Sequence, residues 1–112
     1  MDFDVSIDEH AEEYSIVTVR GEVDLHTAPK VQYAIERAQE GGNVSVVVVD
    51  MGGIDFMDST ALSMLARCKD TLEKRGASLR FASPSKAVDR IFSVTGFNDY
   101  FDIFPDRQSA TV

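Results

Sequence analysis

The sequence predicts an α/β fold: a single domain with a mixed sheet of about four to five strands and helices packed mainly on one face. Three observations carry that expectation. Val44 to Val49 is rich in β-branched residues and apolar at consecutive positions, as in a strand buried on both faces. Segments with strand spacing alternate along the chain with segments of helical spacing, which implies parallel strands joined by right-handed crossovers. Finally, 112 residues with 44% hydrophobic and 9% aromatic content fit one modest core, and no linker, repeat or low-complexity segment divides them.

Each element follows from its local pattern. Phe3, Val5 and Ile7 alternate with Asp4, Ser6 and Asp8, the period of a half-buried strand. The acidic stretch Asp8 to Glu13 reads as a turn, and Tyr14 to Arg20 as the second arm of an antiparallel hairpin closed by Gly21. Thr27 suits a helix N-cap, with Pro29 in the first turn. Val31, Ala34, Ile35 and Ala38 then recur at helical spacing until Gly41-Gly42. The central strand follows, with Gly52-Gly53 expected to break it. Residues 59 to 75 form an amphipathic helix burying Leu62, Leu65, Ala66, Cys68 and Leu72, stopped by Gly76. Ser78 to Ala82 is a short strand, and Ser83-Pro84-Ser85 opens a third helix through Val88, Ile91 and Phe92 to Gly96. Phe97, Tyr100, Phe101, Ile103 and Phe104 form an apolar tail expected to pack back as a short helix or edge strand, stopped by Pro105. The ordered core is expected over about residues 3 to 104, and the small or polar residues of the 106–112 tail are expected to fray.

Composition narrows the function. A net charge of −8 argues against binding to nucleic-acid backbones and against docking on anionic lipid. The longest apolar run is too short to cross a bilayer, and no basic region followed by an apolar stretch marks a secretion signal. One cysteine, Cys68, cannot form an internal disulfide and sits on the predicted buried face of its helix, so a cytoplasmic setting is expected. His10 and His26 lack partners at metal-ligand spacing, and Asp55 and Asp58 read as cap and solvated charge rather than a magnesium site. The glycine pairs lack the Gly-Lys-Ser/Thr of a phosphate loop. A hydrolase built on Ser59 would need a nucleophile elbow and a histidine supply that the sequence does not offer. Neither cofactor nor catalysis is expected.

Attention falls instead on Asp50 to Leu62, where the most hydrophobic strand passes into a helix, because binding in α/β folds concentrates at such strand ends. Asp58 is placed as an N-cap, with Ser59 and Thr60 in the first turn, where free N–H groups and the helix dipole favour an added anion. A phosphoryl group there would add roughly −1.5 to −2 charges beside Asp55 and Asp58. An ordinary helix start is the competing reading. Met51, Phe56 and Met57 flank the serine; Met57 is read as a candidate surface residue, whereas Phe56 is expected to be buried.

The segment Ile54-Asp55-Phe56-Met57-Asp58-Ser59-Thr60-Ala61-Leu62 resembles the phosphorylation segment of the STAS domain family (sulfate transporter and anti-sigma factor antagonist). Arg20-Gly21-Glu22-Val23-Asp24-Leu25, followed by Thr27-Ala28-Pro29, resembles that family's approach to its first helix, Val46 to Asp50 its central strand, and Gly96-Phe97 the end of a late helix. The order and spacing of these pieces span nearly the whole chain. The family often has glycine at the position of Ala61; alanine suits a helix better, so the fold is expected to survive the change.

The resemblance implies an anti-sigma factor antagonist, itself non-catalytic. It implies that Ser59 is the phosphoacceptor, with Thr60 as the alternative hydroxyl, and that Asp24 lies beside the acceptor. The partners it implies are an anti-sigma factor serine kinase, bound while Ser59 is unmodified, and a serine phosphatase that reverses the step. The expected switch surface is Asp24, Asp55, Met57, Asp58, Ser59 and Thr60. A constitutive STAS-type adaptor of a larger signalling or lipid-transport assembly is the alternative, with a small ligand-sensing domain third.

Overall fold

The computed structural model describes residues 3–10 and 13–111. Five strands form one sheet in the order β1 (Asp4–His10), β2 (Tyr14–Val23), β3 (Val46–Met57), β4 (Ser78–Ala82) and β5 (Asp102–Phe104). The β1–β2 pair is antiparallel and the other three pairings are parallel. Helices α1 (Ala28–Gly42), α2 (Ser59–Lys74) and α3 (Lys86–Thr95) make the crossovers, and a short helix α4 (Arg107–Ala110) follows β5. The apolar tail after Gly96 forms both of its expected structures, a single 3-10 turn at Phe97–Asp99 and then β5.

The main core lies between one face of the sheet and helices α1 to α3. From the sheet it takes Val17, Val19, Val47, Val49 and Phe81; from the helices it takes Ile35, Leu65, Leu72 and Phe92. Phe81, Phe92 and Phe101 close its far end, with ring centroids 4.8–6.2 Å apart. The helix caps follow the sequence closely. Asp58 and Ser85 accept first-turn N–H groups of α2 and α3, and Asn43 and Gly96 end α1 and α3 in the left-handed region. Thr27 occupies the N-cap position of α1 without capping it; its hydroxyl donates to Glu22 O at 2.7 Å instead. Ala66, expected inside, is only partly buried against the core.

Four expectations are corrected. β1 continues to His10 instead of turning at Asp8; of that expected turn, Ala11 and Glu12 lie outside the described residues. Gly21 does not close β2, and Gly52-Gly53 does not break β3, because the two strands stay paired to Val23 and Met57. The glycines allow two irregularities instead. Gly21 takes φ 98°, and a Cβ on Gly53 would meet Arg20 Cγ at 2.7 Å. Each register shift inserts one extra residue on β3, so its core-facing residues run Val47, Val49, Met51, then Ile54, then Met57.

The fourth correction concerns the tail, which folds back over residues 106–111; Val112 lies outside the described residues. Ala110 is fully buried in a second, smaller cluster with Ile16, Val48 and Ala82 on the opposite face of the sheet. Arg107 holds it there, its Nε donating to Asp50 Oδ2 and its Nη2 to Thr18 Oγ1 at 2.8 Å. The periodicity of a four-residue helix is too short to read from a sequence. Because Asp50 is mostly buried while Arg107 is half exposed, Arg107→Ala is expected to lower unfolding free energy by about 1 kcal/mol. Arg107→Lys should restore less than half of this, since it cannot supply the same fork of donors. Urea denaturation measures both, and an unchanged midpoint in Arg107→Ala would show that the tail does not depend on this anchor.

Candidate functional site

Parallel pairing places the C-terminal ends of β2 and β3 side by side. Val23 is the register partner of Met57, and Asp58 N donates to Val23 O at 3.3 Å, so the chain leaves the sheet at Asp24 and at Asp58 as immediate neighbours. The loop from Asp24 to Thr27 leads into α1, and Asp58 leads directly into α2. Two strand ends therefore bring the two segments singled out in the sequence onto one surface.

Asp58 has extended backbone (φ −107°, ψ −176°), and its Oδ1 accepts the Ala61 N–H at 2.9 Å. This satisfies one of the four first-turn donors that a helix cannot pair internally. Ser59 is exposed at the first position of α2, and Thr60 is half-buried behind it. The more accessible hydroxyl is thus that of Ser59, at a helix end whose dipole favours negative charge.

Asp24 folds its own loop. Its Oδ1 accepts the backbone N–H of His26 at 2.9 Å and of Thr27 at 3.2 Å, while its own N–H donates to Thr27 Oγ1 at 2.9 Å. The His26 N–H does most to hold its carboxyl below the ordinary carboxylate range; burial opposes it, and the Thr27 N–H and hydroxyl add to the lowering. Asp24 is therefore ionised at neutral pH, and Asp55 is exposed on the extra residue of the second β3 irregularity. Three carboxylates, at positions 24, 55 and 58, thus belong to the segments around Ser59.

The apolar residues divide differently from expectation. Met57 is only 3% exposed and Met51 1%, so Met57 is not part of the surface. Phe56, expected inside, is 47% exposed, because the strand continues and turns residue 57 inward and residue 56 outward. Leu25, which the sequence reading passed over, is 64% exposed at the tip of the adjacent loop. The signal for it was present: an aliphatic residue between an Asx-type turn residue and a helix cap has nowhere to be buried.

The remaining candidates lie elsewhere or do other work. His10 stacks on Tyr14 with ring centroids 4.7 Å apart and approaches Asp8 at 3.2 Å, at the opposite end of β2 from Asp24. It is out of reach of Ser59. Cys68 is fully buried beside Met64, and burial pushes its thiol up to about 12, so it stays protonated and unreactive in the folded protein. No group of three or more His, Cys, Asp or Glu residues positioned to hold a metal occurs among the described residues. Nor is any described helix long and apolar enough to cross a membrane.

Residues 5–110 match the model of the STAS domain. The chain belongs to the STAS domain family. An anti-sigma-B factor antagonist of Listeria monocytogenes is 31% identical over 103 residues, covering 92% of this chain and 90% of that protein. The crystal structure of an anti-sigma factor antagonist from Mycobacterium paratuberculosis superposes with a TM-score of 0.83 at 26% identity, over 97% of this chain and 91% of that one. SpoIIAA, an anti-sigma factor antagonist solved in its unphosphorylated form, shares the fold at 19% identity, with a TM-score of 0.77 over 95% of this chain and 92% of that one. The sequence reading of the family and of its mixed sheet thus agrees with both comparison and coordinates. Within this STAS domain, the end of β2 that leads to Asp24 and the helix start that carries Ser59 leave the sheet side by side, and Leu25 and Phe56 of the same two segments are exposed.

Two measurements check the local chemistry. Asp58→Ala removes the α2 cap and is expected to cost about 1 kcal/mol, with Asp58→Asn recovering most of it, as read by thermal unfolding. An Asp58→Ala protein as stable as the wild type would mean the cap contributes nothing. The Asp24 carboxyl should titrate, by carbon-detected NMR, below the ordinary carboxylate range. Because its folded pKa is lowered, its small stabilising contribution is present above the ordinary carboxylate range and is lost as pH falls through the folded value. A midpoint at or above that range would contradict the loop geometry.

Proposed function

We propose that this STAS domain is an anti-sigma factor antagonist that acts in the cytoplasm by binding an anti-sigma factor kinase, and that phosphorylation of Ser59 releases it. The observation that carries the reading is the exposed Ser59 hydroxyl at the start of α2, beside Asp24 and flanked by exposed Leu25 and Phe56. Relatives across most of the chain are named anti-sigma factor antagonists. While it holds the kinase, the protein leaves a sigma factor free to direct transcription; a serine phosphatase resets the modified form. The protein has no catalytic part in this cycle, in which it is ligand and kinase substrate.

The proposed contact surface is Leu25 and Phe56 as apolar anchors with Asp24, Asp55, Asp58, Ser59 and Thr60 around them. Anchors of this kind contribute most where a partner excludes water. A phosphoryl group on Ser59 adds roughly −1.5 to −2 charges among three carboxylates. Free in solution that charge remains hydrated. Inside a closed interface it would be stripped of water and set against like charge, and a loss of about 3 kcal/mol weakens affinity roughly a hundredfold.

The test is binding of the wild type, Ser59→Ala and Ser59→Asp to anti-sigma factor kinases from the same genome, with and without ATP. The wild type should bind until ATP is added, Ser59→Ala should stay bound, and Ser59→Asp should bind roughly a hundredfold more weakly. Leu25→Ala and Phe56→Ala should each weaken the unmodified complex about tenfold. If all forms bind alike, the domain is a constitutive adaptor. Mass spectrometry of the ATP-treated wild type locates the phosphate, and modification of Thr60 alone would move the acceptor by one residue.

A further inference from the structure

We propose that residues 106–111 form a strap that opens as a unit while the rest of the domain stays folded, uncovering an apolar face of the sheet that the closed strap masks. Of the four residues of α4, only Ala110 is buried. Its side chain packs with Ile16, Val48 and Ala82, which are 4%, 0% and 0% exposed, and Tyr14, Val46 and Phe104 surround them. A helix this short cannot hold itself in water, so the strap stays in place through its contacts with the sheet. Two arginines tie it down. Arg107 donates to Asp50 Oδ2 and to Thr18 Oγ1, and Arg80 Nη1 donates to the Ala110 carbonyl at 2.9 Å.

The hydrogen bonds divide at a hinge. On the body side, the Ser83 N–H donates to Phe104 O at 3.0 Å and Phe104 is the register partner of Ala82, so the end of β5 is held on the sheet. On the strap side, Asp106 Oδ1 accepts the Ser109 N–H at 2.8 Å and the Ser109 hydroxyl at 2.9 Å. Those bonds lie within the strap and need not break when it moves. Exposed Pro105 stands between the two sets. Opening therefore breaks the arginine bonds and the alanine contact, while the main core lies on the other face of the sheet. A segment with so little buried apolar surface opens far more readily than the domain unfolds. The residues left behind keep partners: Asp50 Oδ1 still accepts the Gly52 N–H at 2.9 Å, Thr18 stays opposite Asp50, and Arg80 stays over the Phe104 ring at 5.7 Å.

The uncovered face is a conditional one. Ile16, Val48 and Ala82 belong to three adjacent strands, and they meet water only when the strap is open. An apolar molecule that needs this face binds the open form alone, so its apparent affinity is lowered by the open fraction and rises as the strap is weakened. The strap covers the middle of the sheet, whereas Ser59 lies beyond the ends of β2 and β3, so the device does not rest on the phosphorylation reading.

Trypsin reads the opening directly, because it cleaves after an arginine whose side chain is free to enter its specificity pocket, and Arg107 is held on Asp50 and Thr18. The intact protein is digested in native buffer, and the cut between Arg107 and Gln108 is followed by mass spectrometry. Each rate is corrected with an unstructured peptide of the same segment. The cut is expected while circular dichroism still shows a folded domain, and low urea should accelerate it far less than it accelerates global unfolding. Thr18→Val removes one strap bond and suits a strand, and it should speed the cut about fivefold. Ala110→Asn places an amide in the apolar cluster; it should speed the cut at least about tenfold and raise the binding of Nile red, a neutral apolar dye, by a similar factor. If Ala110→Asn fails to fold, Thr18→Val decides by both readouts. The proposal is overturned if the cut appears only as the whole domain unfolds, if Thr18→Val is cut at the wild-type rate, or if dye binding does not rise with the rate of cutting.

Discussion

Everything that positions the site depends on β2 and β3 staying paired beyond the point where their glycines would be expected to end them. The ladder runs from Tyr14 opposite Val46 to Val23 opposite Met57, and its last rung is extended by the Asp58 N–H on the Val23 carbonyl. Parallel strands cannot be joined by a tight turn, so each must continue into its own helix. With the two exits fixed as neighbours, the Asp24 loop and the start of α2 are fixed with them. The two β3 irregularities then decide which side chains face outward. Each adds one residue, which steps the core-facing positions by three instead of two and leaves Asp55 and Phe56 outside.

The same glycines explain what could and could not be read from the sequence. Gly41-Gly42, Gly76 and Gly96 lie at helix ends as expected, because a helix is held by its own hydrogen bonds and a permissive residue readily ends it. Gly21 and Gly53 lie within a ladder held from the neighbouring strand, and there the permissive residue becomes a local irregularity. Whether a glycine stops a strand depends on a partner distant in sequence. The burial of Met57 and the exposure of Phe56 were hidden for that reason, since treating the segment as a loop assigns no alternation to it. The three longer helices, by contrast, announced themselves, and the cap at Asp58 was legible because capping is a short-range interaction, whereas Thr27 was drawn to the Glu22 carbonyl instead.

The tail was illegible for a different reason. It is held by the buried Ala110, by Arg80 donating to the Ala110 carbonyl at 2.9 Å, and by Arg107 reaching Asp50 and Thr18 across 57 and 89 residues of chain. No periodicity accompanies so short a helix. Its effect on the fold is nevertheless specific. The sheet's second face carries Ile16, Val48 and Ala82, and without α4 these would form an apolar patch opposite the helices. Asp50 is also the residue whose other oxygen accepts the Gly52 N–H at 2.9 Å. One carboxylate therefore joins the tail to the first irregularity of β3, on the strand that leads to Ser59.

On the proposed reading, a phosphoryl group at Ser59 would act on binding much more than on folding, because of the medium around it. Unit charges at 4 Å interact by about 1 kcal/mol in water and about 4 kcal/mol at the effective dielectric of a protein surface region. In the free protein the serine and Asp55 are exposed, so repulsion stays near the lower figure and is partly offset by the helix dipole. A partner that covers Leu25 and Phe56 removes water from the same surface, and the interactions rise toward the higher figure. Such a modification would therefore leave the fold almost untouched, while its cost would grow with the completeness of the complex it opposes. A looser contact would be less sensitive to the same charge, so on this reading the exposed Leu25 and Phe56 would set both the affinity of the unmodified complex and the strength of the switch.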